Sequence, residues 1–281
     1  MSSRIRAAIE HRSSMGEGAF LPFVTAGFPD AETCRESILT LDREGADVVE
    51  VGIPHSDPLA DGPVIQMSSA VALEGGMTPD GALNLVGSLS GEVSCPLVVM
   101  TYYNLVLSYG LDGFARRAGK AGVGGVIIPD LPPEEAVEWK EAASGSGLDT
   151  IFMVAPTTTE PRMKLIDRLT AGFLYYVNVC GTTGKSFDNA AGVRERIAAV
   201  RERSSVPVAA GFGVSSPEDA TLLATAADGV VVGSLLLRRM AEADEESRLR
   251  ELAALARRFR RALGAESIER LDYTPTREVR Q

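Results

Sequence analysis

Several residue types are scarce in this chain of 281 residues, and each scarcity excludes a class of function. Three cysteines, Cys34, Cys95 and Cys180, are odd in number and widely separated, which argues against a disulfide framework or a zinc site and leaves them as small packing residues. Two histidines, His11 and His55, are too few for a multi-histidine metal centre and make a Ser-His-Asp triad a poor expectation. Proton chemistry therefore falls to carboxylates and tyrosines. No apolar run approaches the roughly 20 residues of a membrane helix, and "MSSRIRAAIEHRSSMGEG" at the amino terminus has no hydrophobic signal-peptide core. A cytoplasmic location is the resulting expectation. A net charge of −10 argues against a nucleic-acid footprint, so any phosphate ligand has to be held locally by backbone groups.

What is present is a hydrophobic content of 45% with 23% charge, enough apolar material for a sizeable core. Eight β-branched runs recur at 19–27, 47–53, 96–101, 123–130, 149–156, 173–179, 206–213 and 228–234. Several are apolar on both faces, as strands of a buried parallel sheet are. Helical stretches with readable caps separate them. Asp30 precedes "AETCRESILTLDREG", where Cys34, Ile38 and Leu41 share a face and Gly45 ends the run. Ser216 and Pro217 open "SSPEDATLLATA" as N-cap and first helical residue.

The pattern predicts a single (β/α)8 barrel over 1–264, with an extra helix at about 3–14 ahead of the first strand. A doubly wound open sheet is the alternative, disfavoured because no G-x-G-x-x-G turn follows the first strand. Residues 265–281 are expected to be a partly ordered extension. The charged stretch "EADEESRLRELAALARRFRRAL" before it reads as one helix with a solvated face.

Barrel chemistry gathers at the carboxyl ends of the strands. There "VVEVGIPHSDPLADGP" places Glu50 inside an apolar run, where desolvation raises a carboxylate into the range in which it can give and take protons near neutral pH. The alternative is a buried acid held ionised by an Arg or Lys. Asp61 either caps the following helix or lines the same mouth, and Asp57 is better suited to a turn or a partner contact. Glycines end the later strands: "CGTTGKS" after the sixth, Gly211 and Gly213 after the seventh, and Gly233 with Ser234 after the eighth. Such glycines let backbone N–H groups approach a phosphate at a helix N-terminus. The four lysines, Lys120, Lys140, Lys164 and Lys185, all fall outside the predicted strands, which argues against Schiff-base chemistry.

In order along the chain, "LPFVTAGFPD", "EVGIPHSDPLADGPVIQ", "YYNLV", "GVIIPDLPPEE", "GFGVSSP" and "GVVVGS" resemble the tryptophan synthase alpha subunit family from about 19 to 240. The resemblance implies retro-aldol cleavage of indole-3-glycerol phosphate to indole and glyceraldehyde 3-phosphate. It implies no cofactor in this chain, and a beta subunit that carries pyridoxal phosphate and receives the indole in an alpha2beta2 assembly. By motif, Glu50 matches the proton-transfer residue, Asp61 the acid that holds the indole N–H, and Tyr175 a tyrosine lining the site. Phe23, Tyr102, Ile127, Pro129 and Phe212 match the indole pocket, and Thr183 the loop that closes over Asp61. Gly184, Gly213, Gly233 and Ser234 match the phosphate site, while Asp57, Pro58, Asn104, Asp130 and Pro132 fall on the side that faces a beta subunit.

Departures lie at Asn178, Cys180 and Thr182, where the family has a serine and a "GVTG" loop, and at His55, where Phe or Tyr is common. A lone loop histidine reads as a surface or packing residue. Two other readings are a stand-alone lyase that releases free indole, and a non-catalytic module that docks on a beta subunit and regulates it. Retention of Glu50 and Asp61 argues against the regulator, because a mid-strand carboxylate is costly. The related indole-3-glycerol phosphate synthase barrel expects strand lysines, which are missing here.

Overall fold

A computed structural model describes residues 3–177, 190–211 and 213–268. Nine strands are described: β1 (Ala19–Thr25), β2 (Val49–Gly52), β3 (Leu97–Met100), β4 (Gly125–Ile127), β5 (Asp149–Ile151), β6 (Met153–Val154), β7 (Leu174–Val177), β8 (Val208–Gly211) and β9 (Gly229–Val232). The helices are α1 (Arg4–Ser14), α2 (Ala31–Arg43), α3 (Pro63–Glu74), α4 (Pro79–Leu89), α5 (Tyr103–Tyr109), α6 (Leu111–Lys120), α7 (Val137–Gly145), α8 (Glu160–Leu169), α9 (Ala190–Arg201), α10 (Pro217–Ala224), α11 (Ser234–Glu242) and α12 (Arg248–Ala262). None is long and apolar enough to cross a membrane.

Every strand pairing is parallel, and the sheet runs β5-β4-β3-β2-β1-β9-β8-β7-β6. Its two ends, β5 and β6, are halves of one chain segment separated only by Phe152. The order therefore describes a ring, the barrel expected from the sequence. The run at 149–156 reads as one strand, yet it divides because its first half bonds to β4 and its second to β7. At the seam the strand changes neighbours, which interrupts the ladder without interrupting the apolar pattern.

Alternation along each strand sorts the side chains into two layers. Ala19, Leu21, Val48, Val98, Ile127, Ile151, Phe173, Tyr175, Ala209 and Val231 fill the barrel interior, and Ile5 and Ile9 of α1 join them. Helix α1 thus plugs the amino-terminal end. The other face of the strands, with Phe20, Val49, Val51, Val99, Val126 and Tyr176, packs under the helices.

The two caps read from sequence are in place. Asp30 Oδ1 accepts the Thr33 N–H at 2.8 Å and Ser216 Oγ accepts the Asp219 N–H at 3.1 Å. The charged stretch before the extension needs correction. Helix α11 ends at Glu242 and α12 begins only at Arg248, whose guanidinium donates to the Met240 and Ala243 carbonyls and closes the turn between them.

Nor are that helix's charges all solvated. Arg260 of α12 donates to Asp47 Oδ2 at 2.9 Å and to the carbonyls of Gly18 and Leu263. Leu252, Leu255, Ala256 and Phe259 on the same helix are buried, so the helix brings the guanidinium down onto the barrel floor. Of the extension, Ile268 is buried and residues 269–281 lie outside the described part.

Candidate active site

The same alternation that fills the barrel with apolar side chains aims Glu50 inward. Val49 and Val51 belong to the layer under the helices, so Glu50 between them faces the interior, level with Phe23 of β1 and Val98 of β3. It is 1% exposed, and among the described residues its Oε1 has no hydrogen-bond partner and no cation lies against the carboxyl group. Among the described residues, then, no Arg or Lys holds this acid ionised. Burial alone pushes the carboxyl up to about 8, leaving it mostly protonated at neutral pH and poised to exchange that proton.

Tyr175 faces the same interior from β7, beside Phe173 at a ring separation of 6.1 Å. A Cβ on Gly211 would lie 2.5 Å from its hydroxyl oxygen, so the neighbouring strand must be glycine where the phenol lies. Burial raises the Tyr175 phenol well above its ordinary value, and the nearby charges of Glu50 and Asp61 add to that. Tyr175 thus lies within electrostatic reach of both carboxyl groups.

Asp61 lies in the loop between β2 and α3. It does not cap α3: Gly62 occupies that position and no side chain caps the helix. Instead Asp61 Oδ2 accepts the Tyr102 hydroxyl at 3.0 Å, while that hydroxyl accepts the Ala60 N–H at 3.1 Å. Burial raises the Asp61 carboxyl, opposed by the Tyr102 hydrogen bond and by His55. Burial and then the Asp61 charge raise the Tyr102 phenol, so it remains a donor. Phe23, Gly52, Ile65, Met100 and Thr101 join Asp61 and Tyr102 around a cavity of about 10 Å³, room for one water. A Cβ on Gly52 would come within 2.6 Å of the Phe23 ring, so glycine is needed for that ring to lie across the cavity wall.

Ile127 is buried in the barrel interior at the end of β4, and Pro129 is half-buried just beyond it; neither lines this cavity. Gly213 follows β8 with φ +80°, in the left-handed region. Gly233 and Ser234 follow β9 at the start of α11, which has no side-chain cap and no acid in its first turn. Its leading N–H groups are thus suited to an external anion. Thr183, Gly184 and Phe212, with Asn178, Cys180 and Thr182, lie outside the described residues.

The loops after β2, β3 and β4 are tied together at the same end of the barrel. His55 Nε2 lies 3.1 Å from Asn104 Oδ1, and Asp130 Oδ1 accepts the Tyr103 N–H at 2.9 Å. Asp57, Asn104 and Asp130 are exposed on this side, Pro58 and Pro132 are half-buried, and Leu59 is 86% exposed. His55 does pack, with its ring 4.7 Å from that of Tyr102, but it also makes two hydrogen bonds that the sequence reading missed. The available signal was Asp57, two residues on, whose backbone N–H is within reach of the imidazole.

The family profile described as "Tryptophan synthase alpha chain" matches residues 9–264. The chain belongs to the tryptophan synthase alpha chain family. A tryptophan synthase alpha chain of Gloeobacter violaceus is 46% identical over 261 residues, covering 92% of this chain and 94% of the relative. One from Geobacter sulfurreducens is 43% identical, covering 93% and 99%. Among solved structures, tryptophan synthase subunit alpha from Legionella pneumophila superposes with a TM-score of 0.87 at 34% identity, covering 94% of this chain and 99% of that one. A chain of tryptophan synthase from M. tuberculosis, in an aminoacrylate- and BRD0059-bound form, gives 0.84 at 34% identity, covering 94% and 99%. The family's reaction is cleavage of indole-3-glycerol phosphate, a carbon–carbon lyase step in tryptophan biosynthesis.

Proposed function

We propose that the chain cleaves indole-3-glycerol phosphate with Glu50 as the proton-transfer group, and that it passes the indole to a beta subunit. The observation that carries this reading is the buried carboxyl of Glu50, whose Oε1 has no partner among the described residues and which faces the barrel interior with Tyr175 in electrostatic reach of it and of Asp61. A carboxyl that titrates at about 8 holds its proton at neutral pH and can place it on C3 of the indole ring. That protonation leaves positive charge on the ring nitrogen, whose N–H donates to Asp61, held in place by Tyr102.

Glu50, now ionised, takes the proton of the glycerol hydroxyl next to the ring. The electrons of that O–H bond form the aldehyde, the carbon–carbon bond breaks, and its electrons return to the ring. Indole and glyceraldehyde 3-phosphate leave, and Glu50 has regained its proton. Tyr175 closes the interior side as a neutral phenol. The phosphate rests at Gly213, Gly233 and Ser234 on the N–H groups of α11, with Gly184 of the sixth loop, while Ile127, Pro129 and Phe212 complete the indole pocket and Thr183 closes over Asp61. Since the cavity at Asp61 holds only about 10 Å³, side chains there must move to admit an indole ring.

The chain acts in the cytoplasm in an alpha2beta2 assembly, itself without a cofactor, with pyridoxal phosphate in the beta subunit. Asp57, Pro58, Asn104, Asp130 and Pro132 form the docking side. The test is indole release from indole-3-glycerol phosphate by the purified chain, with and without a beta subunit at matched concentration. Slow release alone, strongly accelerated by the beta subunit, is the expected result. Fast release without a response identifies a stand-alone lyase, and no release in either condition leaves a regulatory module.

A further inference from the structure

His55 sits between the acid that would hold the indole N–H and the loops that face a partner. Two backbone N–H groups define its hydrogen bonds. The Asp57 N–H donates to Nδ1 at 3.0 Å, so that ring nitrogen must be the bare acceptor. On the other side, Asn104 Oδ1 accepts the Leu105 N–H at 2.9 Å, which identifies the amide atom facing His55 as oxygen. At 3.1 Å from that oxygen, Nε2 has to be the N–H donor. The imidazole is held as the neutral Nε2–H tautomer, bridging the loop after β2 to the head of α5. Its ring, tilted by 40°, lies 4.7 Å from that of Tyr102, whose hydroxyl is bonded to both Asp61 Oδ2 and the Ala60 N–H.

We propose that His55 is a positioning residue: in its neutral Nε2–H tautomer it seats Tyr102 and the loop 55–61 so that Asp61 faces the substrate's ring nitrogen. This rests on the reading of Asp61 given above. The Nδ1–H tautomer would set two N–H groups against each other and lose the Asp57 bond that holds the loop carrying Asp61. The charged and titratable groups around the imidazole are Asp57 and Asp61 on its own loop, Tyr102 at the head of α5 and, behind Tyr102, Asp130 after β4. The effect belongs to substrate binding rather than to the proton transfer at Glu50, so it acts on KM.

The test combines a spectroscopic and a kinetic measurement on the full chain. With only two histidines in the sequence, one His11→Gln variant assigns the imidazole nitrogen resonances. At pH 8, His55 is expected to show a bare Nδ1 and a protonated Nε2. In steady-state cleavage of indole-3-glycerol phosphate, His55→Phe keeps a ring against Tyr102 but loses both hydrogen bonds. It is expected to raise KM by about 3- to 10-fold with little change in kcat. His55→Asn, which returns an acceptor near Nδ1, should recover part of the lost affinity.

An Nδ1–H or averaged tautomer overturns the proposal. So do variants whose KM keeps the wild-type value, or whose kcat and KM worsen together in step with a lowered Tm, the mark of structural support alone. If the wild-type chain makes no indole with or without a beta subunit, the lyase reading fails instead, and the tautomer still decides the geometry of His55.

Discussion

Asp47 and Glu50 belong to one short stretch, "DVVE", the first half-buried and the second buried, and they live in opposite electrostatic worlds. Asp47, at the amino-terminal end of the barrel, accepts from Arg12 Nε at 2.6 Å, from Arg260 Nη1 at 2.9 Å and from the Phe20 N–H at 2.8 Å. Glu50, one turn of the pleat higher, has no such partner for its Oε1 among the described residues. The floor repeats the pairing at Asp228, which takes Arg201 at 2.8 Å and the Val208 N–H at 2.9 Å. The acids of the barrel floor are thus paired, while the acid proposed to exchange protons keeps an oxygen without a partner among the described residues. A structural carboxylate costs little once paired. A working one retains its desolvation penalty, because a fixed cation would hold it ionised.

Substitutions should separate the two acids by what they damage. Glu50→Gln is expected to give the largest change, a fall in kcat of about 10²- to 10⁴-fold with the fold retained, read by indole release. Asp61→Asn should lower kcat/KM by roughly 10²-fold through loss of the charge opposite the ring nitrogen, with KM carrying part of the loss. Asp47→Ala should reverse the pattern. Activity per folded molecule stays near wild type, but denaturant unfolding shows a loss of about 2–3 kcal/mol, less than for a fully buried pair because Arg12 is 27% exposed. Tyr102→Phe is the smallest, a few-fold rise in KM from one lost hydrogen bond to a carboxylate.

The acids also differ in how stability should respond to pH. Burial raises the folded-state value of Glu50 from 4.5 to about 8, so the folded chain keeps a proton that the unfolded chain releases. Stability therefore falls as pH rises between those two values and levels off above about 8. The loss is on the order of a few kcal/mol. In Glu50→Gln this component of the fall should vanish, making the variant more stable than wild type at pH 8.5 and similar to it at pH 4. Equal slopes in the two proteins would mean that Glu50 is not the protonated group.

The inward-facing, buried Glu50 was legible in the sequence because an acid inside an apolar run violates the local pattern, and that violation is what motivates the proposed role. The barrel was legible because eight such runs alternate with capped helices. Asp61 was ambiguous until Gly62 was seen to occupy the helix cap. The floor could not be read at all: Arg260 reaches Asp47 across 213 residues, and a charged helix looks the same from sequence whether its arginines meet water or a half-buried aspartate. The break at Phe152 was equally hidden, since a strand that changes partners keeps its apolar run. His55 went unrecognised because its role depends on Asn104 and Tyr102, which chain spacing does not connect to it.

The most direct measurement is a titration of the Glu50 carboxyl itself, by infrared difference spectroscopy of wild type against Glu50→Gln from pH 4 to pH 10. A protonated-carboxyl band that disappears with a midpoint near 8 is the result expected of an unpaired, buried proton-transfer group. A group already ionised below pH 6 would contradict the contrast between the two ends of the barrel, and with it the assignment of Glu50.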